Sequence, residues 1–361
     1  MEEKGKKRRM DYTLLLIVVL LVVIGLVILY STSAYNGQVK FHDSFYYLKK
    51  QAFATVLGIV LMLFVAGMDY HIWQRLAVFG YLAAVALSVA VMLFGREING
   101  SKRWLALGPF SFQPSEFAKV ALILFLADLV TKNVKTIGKM WTLCRIMFWI
   151  LPIVGLVGAS NLSTAIIILG IGVILIFVAS PKYAQFALMG LAGACFMGLF
   201  LALESYRLER LAIWRNPEKY EKGYQTLQGL YAIGSGGVFG VGLGNSVQKL
   251  GFVPEAQNDM IFSIICEELG LAGAGIIVFL FLLLIWRFFM IASGSRDLFG
   301  ALIATGAMAH MMIQVILNIA VVTNTIPNTG ITLPFISYGG TSVMFLLIEM
   351  GLVLSVSQVV D

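Results

Sequence analysis

Ten windows of mainly apolar residues follow one another along this chain, near 12–31, 51–68, 76–94, 115–131, 145–159, 162–179, 183–203, 260–290, 298–322 and 341–358. As helices, windows of this length match the roughly 30 Å hydrocarbon core of a bilayer. Lipid offers no partner for exposed amides and carbonyls, so only helices and closed barrels can span it. The long apolar runs lack the period-two alternation of a barrel strand. The sequence therefore predicts an all-α polytopic membrane protein of about ten transmembrane helices. With 59% hydrophobic and 12% charged residues among 361, no soluble domain fits beside them and disorder is excluded. The expected organisation is one membrane domain over residues 1–361, with a large extracytoplasmic loop, 204–259, between the seventh and eighth helices.

The net charge of +7 is spread between apolar windows and reports topology rather than nucleic-acid binding. If the N-terminus is cytoplasmic, thirteen cations from Lys4 to Arg296 lie on that side. Six, Lys40, Lys49, Lys50, Arg96, Lys102 and Arg103, lie on the short loops opposite. The positive-inside rule then puts both termini in the cytoplasm and segments 95–114, 204–259 and 323–340 on the outer face. The basic start, Lys4 to Arg9, precedes an apolar run from Leu14 to Tyr30 that is too long for an ordinary signal peptide. It reads as the first anchor.

Ionisable groups inside spans are costly, so each is a candidate for function. Glu116 and Lys119 lie three apart on one helix face, where they can pair, fix the bundle or meet a polar substrate. Glu267 and Glu268 are adjacent early in the eighth window and cannot face the same way, so at least one needs a partner or water. Asp259 stands just before that window, where it could cap the helix or act as an acid at the membrane surface beside Glu255 and Asn258.

The run from Gly234 to Ser246 offers backbone able to approach a ligand closely. It lacks the Lys and Ser/Thr ending of a P-loop, so a nucleotide site is not indicated. Chemistry on an outer face requires a substrate that arrives activated, such as a lipid pyrophosphate. Lys102, Arg103, Arg210, Arg215 and Lys249 are cations available to offset its charge. His42 and His71 sit near interfaces, and His310 reads as a satisfied buried histidine rather than a metal ligand. Cys144, Cys195 and Cys266 show neither disulfide nor metal spacing and read as small core residues. No hydrolase elbow is present.

Three stretches carry a resemblance: NGSKRWLALGPFSFQPSEFAK (Asn99 to Lys119), YQTLQGLYAIGSGGVFGVGLGNSVQKLGFVPEAQNDMIFSIICEELG (Tyr224 to Gly270) and IPNTGITLPFISYGGTS (Ile326 to Ser342). In order and spacing they resemble the SEDS family of shape, elongation, division and sporulation proteins. The GLGNSVQK stretch is more similar to the division and sporulation branches than to the elongation branch. The resemblance implies a peptidoglycan glycosyltransferase that polymerises lipid II on the outer face of the cytoplasmic membrane. It also implies a class B penicillin-binding protein as transpeptidase partner, with other division or sporulation membrane proteins nearby.

By that resemblance Asp259 corresponds to the family's essential acid in the fourth outer loop. Glu116 and Lys119 correspond to an interacting pair under the central cavity. Arg103, Glu267, Glu268, Ser337 and Tyr338 fall in matching segments. Lys249, as a loop cation, and Glu255, clustered with Asp259, complete the substrate-binding or supporting candidates. Two departures stand out. Asn161 replaces the acid of a PDLG segment, putting in doubt any mechanism that needs a carboxylate there. Asn328 replaces a small or apolar residue and is expected to alter local packing only.

The residues permit Asp259 to act as the base that deprotonates an attacking sugar hydroxyl, with Arg103 or a divalent cation offsetting the departing pyrophosphate. Sequence defines no metal site. A lipid II flippase and a non-catalytic divisome scaffold remain open alternatives.

Overall fold

A computed structural model describes residues 10–98, 101–107, 110–187, 190 and 212–359. Helices α1 (Tyr12–Phe41), α2 (Tyr46–Gly67) and α3 (His71–Phe94) lead into short strands β1 (Arg96–Ile98), β2 (Ser101–Leu107) and β3 (Phe110–Phe112). Then come α4 (Pro114–Asn133), α5 (Met140–Ser160), α6 (Leu162–Ala179), the short α7 (Tyr224–Gly236), α8 (Ile261–Gly294), α9 (Leu298–Val322) and α10 (Gly340–Ser357). Among the described residues, α1, α2, α3, α5, α6, α8, α9 and α10 are long and apolar enough to cross a membrane. Helix α4 carries Glu116, Lys119, Asp128 and Lys132, yet it is buried on nearly every side, making it the central post of the bundle. The seventh window, 183–203, falls mostly outside the described residues, as do Cys195 and Arg210.

The first and last described helices meet. The Asp11 amide donates to Ser357 Oγ at 3.1 Å, and the Asp11 carboxylate caps α1 through Leu14 N and pairs with Arg287 of α8. This side is the terminal face, and the opposite side is the loop face. On the loop face β1, β2 and β3 form an antiparallel sheet, a local departure from the all-helical expectation. Between α5 and α6 the single residue Asn161 suffices. Extended at φ −151°, it ends α5, and its side chain accepts Thr164 N at 3.2 Å to start α6. The position that departs from the family pattern therefore has a capping job that Asn performs as well as Asp.

Two irregular segments shape the loop face. Helix α8 is broken at Gly270 (φ 66°), and the glycine-rich run folds back onto the break. There Val241 and Gly242 donate to the carbonyls of Glu267 and Glu268, and Leu271 and Ala272 donate to those of Gly237 and Val238. A Cβ on Gly240 or Gly270 would collide with the facing backbone. The run thus makes a close approach to α8.

The second segment, 326–339, lies within the 323–340 stretch expected on the outer face. Its middle dips into the bundle, with Leu333, Phe335, Ile336 and Ser337 buried. Its deepest point rests on α1, where a Cβ on Gly25 would strike the Phe335 carbonyl and come within 2.9 Å of Ile336 Cα. Phe335 itself is held at φ 62°, a costly conformation for a non-glycine residue. Irregular backbone at this depth is tolerable because its polar groups are taken up by protein.

Candidate active site

Asp259 lies two residues before α8, half-buried at the loop face. The helix begins with Met260 at the cap position and no side-chain cap, so the capping role open to Asp259 in sequence is not the one it plays. Gln225 of α7 donates to its Oδ1 at 3.4 Å, and Gly330 of the re-entrant segment stands on its other side. Burial, aided by the charge of Glu255, lifts its pKa from 3.8 to about 6, against the pull of Gln225 and nearby amides. Such a carboxylate is ionised near neutrality yet is a better proton acceptor than an exposed aspartate.

The backbone around it is tied from three sides. Asn318 of α9 donates to the carbonyls of Asp259 at 2.8 Å and Ile331 at 2.7 Å. Ser337 accepts Leu333 N and donates to Asn258 O at 2.7 Å, and Tyr338 N donates to Gln257 O at 2.9 Å. Gln51 of α2 holds the far end of the segment, donating to Ser337 O and accepting Gly339 N. Ser337 and Tyr338 therefore brace the site. The Tyr338 ring packs edge-on against Tyr47 at 4.9 Å.

Beneath lies a buried polar chain. Glu116 and Lys119 pair at 3.0 Å as the spacing predicted, and Lys119 donates onward to Gln314 Oε1 at 3.3 Å. His310 joins Gln314 to Glu349 of α10 with 2.8 Å contacts on both ring nitrogens, the satisfied histidine expected from sequence. Gln314 Nε2 then reaches Thr332 O at 3.0 Å, linking the ion pair to the re-entrant segment.

Glu267 and Glu268 are both buried, and both are served by one loop. Glu267 accepts the amides of Val247 and Gln248 and bonds the Ser246 hydroxyl, while Glu268 binds Lys249 at 2.6 Å and Ser31 of α1. Adjacent helical positions do point apart, but residues 246–249 curl around the helix end and reach both. Lys249 is consequently committed to Glu268 and is not a cation waiting for substrate. Glu255 is exposed and holds Asn258 at 2.8 Å.

On the other flank Arg103 Nε donates to Ser160 O at 3.1 Å, beside Asn161 in a small cleft that also contains Ser88 and Ser115. Ser163 Oγ donates to Thr329 O at 2.8 Å, so this flank adjoins the re-entrant segment one residue from Gly330. Arg215 is exposed near Trp214, whose indole bonds Asn324 O; the side chain of Lys102 lies outside the described residues. Asn328 accepts Gly330 N, a local turn role. Cys266 is buried, whereas Cys144 is exposed on α5 rather than in the core. Among the described residues no three His, Cys, Asp or Glu side chains gather to hold a metal ion, and Glu255 with Asp259 supplies only two carboxylates.

The profile of the FtsW, RodA and SpoVE family, described as cell cycle proteins, matches residues 12–361. The chain belongs to that family. Its SEDS fold extends over the whole bundle: it is 40% identical to stage V sporulation protein E of Bacillus subtilis, with 98% of each chain covered. It is 35% identical to a probable peptidoglycan glycosyltransferase FtsW of Trichlorobacter lovleyi, over 96% of this chain and 93% of that one. A chain from a solved peptidoglycan synthase complex, described as coordinating polymerization and crosslinking, superposes with a TM-score of 0.82. It is 30% identical and covers 96% of this chain and 97% of its own. In this SEDS chain Gln51, Gln225, Gln314, Asn318 and Glu349 join the site without having stood out in the sequence. The first four are uncharged, but polar groups within or against apolar helices also demand partners, and Gln314 and Asn318 share a helix face at i, i+4.

Proposed function

We infer that this chain is a membrane-embedded peptidoglycan glycosyltransferase that joins lipid-linked disaccharides, lipid II, into β-1,4 glycan strands on the extracytoplasmic face. The observation that carries the reading is the half-buried Asp259, raised to a pKa of about 6 and tied into a backbone frame at the loop face. The acceptor's sugar hydroxyl attacks the anomeric carbon of the donor. As the new C–O bond forms, the bond to the undecaprenyl pyrophosphate breaks with inversion. The hydroxyl proton passes to the Asp259 carboxylate. Arg103 is the cation assigned to the leaving pyrophosphate, and no step is routed through a metal ion. The prenyl tails stay in the bilayer while the sugars lie at the loop face, which this reading places outside the cell with both termini in the cytoplasm.

In this reading the domain is one ten-span unit whose 204–259 loop carries the base. A class B penicillin-binding protein crosslinks the product, a reading supported by the likeness to a chain from a complex described as coordinating polymerization and crosslinking. The flippase alternative gains no support from the bundle interior, where Glu116, Lys119, His310 and Glu349 are buried and linked to one another rather than lining an open path. The test is incubation of purified protein and its transpeptidase partner with lipid II, followed by muramidase digestion. Polymer that collapses to disaccharide units is expected. Unchanged lipid II under all conditions would remove the reading.

A further inference from the structure

From Gly223 to Pro254 the chain carries a single charged residue, Lys249, and that one is buried against Glu268. The same stretch exposes Val238, Phe239, Leu243, Val247, Leu250 and Phe252, with Phe239 at 83%. An irregular loop with this much apolar surface and no exposed charge is a poor fit to water.

Its depth can be read along α8. The Asp11–Arg287 pair marks the terminal face, and Gly270 lies seventeen positions earlier on the helix, about 25 Å away at 1.5 Å per residue. That distance ends within about 5 Å of the opposite boundary of a hydrocarbon core of about 30 Å. The glycine-rich run is hydrogen-bonded to α8 on both sides of this break, at 267–268 and 271–272, so it sits at the same height. Its apolar surface also continues an exposed apolar stripe of α8 that includes Leu271, Phe279, Leu282 and Trp286.

Backbone amides are the obstacle to placing a loop there, because lipid cannot accept their hydrogen bonds. Here the protein supplies the acceptors. The amides of Ser246, Val247, Gln248 and Lys249 donate in turn to Glu268, Glu267, Glu267 and the Ser246 hydroxyl. Two buried carboxylates thus do for the loop what water would do outside the membrane.

We propose that the segment from Val238 to Phe252 is an interfacial anchor, lying in the boundary between headgroups and acyl chains on the loop face of the bilayer. Its occupant is lipid. Asp259 follows seven residues after Phe252, so the anchor also sets that residue at headgroup height. The inference rests on the fold and charge pattern and not on the glycosyltransferase reading.

The test replaces the three native cysteines and attaches a nitroxide to single cysteines at Phe239, Val247, Leu282 and Tyr220. The protein is reconstituted alone in phosphatidylethanolamine–phosphatidylglycerol vesicles, and collisions with oxygen and with a water-soluble nickel chelate are measured. Labels at Phe239 and Val247 are expected to favour oxygen and to report a depth of about 5–10 Å, between the Leu282 and Tyr220 values. Nickel accessibility as high as at Tyr220 would place the loop in water and overturn the proposal. Protection from both reagents would place it against protein and overturn it equally.

Discussion

Asn318 spends both hydrogens of its side-chain amide on two carbonyls from different segments, Asp259 at 2.8 Å and Ile331 at 2.7 Å. One buried residue therefore fixes the Asp259 backbone to the re-entrant segment. Asn318→Ala leaves two carbonyls without their donor, at a cost of about 1–3 kcal/mol each. Polymerisation is expected to fall about tenfold or more through kcat with KM little changed, each factor of ten corresponding to about 1.4 kcal/mol at the barrier. Steady-state kinetics with lipid II measures the split; a rise in KM alone would assign Asn318 to substrate binding.

Asp259 predicts a pH signature. A base with a pKa of about 6 is protonated below that value, so kcat/KM should fall on the acid side with an apparent pKa near 6. A rate profile between about pH 4.5 and 8 checks it. A flat profile would remove Asp259 from the proton-transfer step.

The same shift has a stability consequence that needs no substrate. Because the folded pKa is raised, the native state holds this proton more tightly than the unfolded chain does. Ionisation then costs stability as pH rises from about 4 through about 6, and the cost is complete above that. Asp259→Asn is expected to raise resistance to thermal denaturation near neutral pH by up to about 2 kcal/mol and to change little at about pH 4. Melting curves in detergent at both pH values decide it.

Removing one member of the Glu116–Lys119 pair strands the other's charge in the bundle, where the two side chains are 7% and 2% exposed. Glu116→Gln or Lys119→Met alone should destabilise by about 3–5 kcal/mol. The double replacement Glu116→Gln/Lys119→Met should cost less than the sum of the two. A double-mutant cycle by thermal denaturation reads the coupling; additivity would mean that the pair is not coupled.

Gly25 has no side chain and lies far along the chain from Asp259, yet it supports the deepest point of the re-entrant segment. Gly25→Ala should cost about 1–3 kcal/mol of stability by overpacking and lower activity by displacing that segment. Comparing melting temperature and polymerisation rate with those of Ala34→Gly, elsewhere on α1, separates this from a general effect on the helix.

What could be read in the sequence follows from which interactions are local. The helices came from unbroken apolar length, and the Glu116–Lys119 pair from a three-residue spacing. The dip of the re-entrant segment was not legible, because it depends on Gly25 meeting Phe335 more than three hundred positions away. The glycine-rich run was read for its freedom to approach something, but only the break at Gly270 shows what it approaches. Lys249 looked available because its partners, Glu268 and Ser31, come from a neighbouring helix and from the first one. Asp259 stood out by its place before the eighth window beside Glu255 and Asn258, and the family resemblance added its correspondence to an essential acid. The frame that holds it, Asn318 above all, is built from contacts between residues distant in the chain.

The most direct measurement is gel analysis of glycan made from lipid II by the purified protein with a transpeptidase partner whose crosslinking site is inactive, comparing wild type with Asp259→Asn. Glycan strands from wild type and none from Asp259→Asn, with both proteins folded and partner-bound, is the predicted result. Strands of equal yield from both would contradict the assignment of Asp259 as the base.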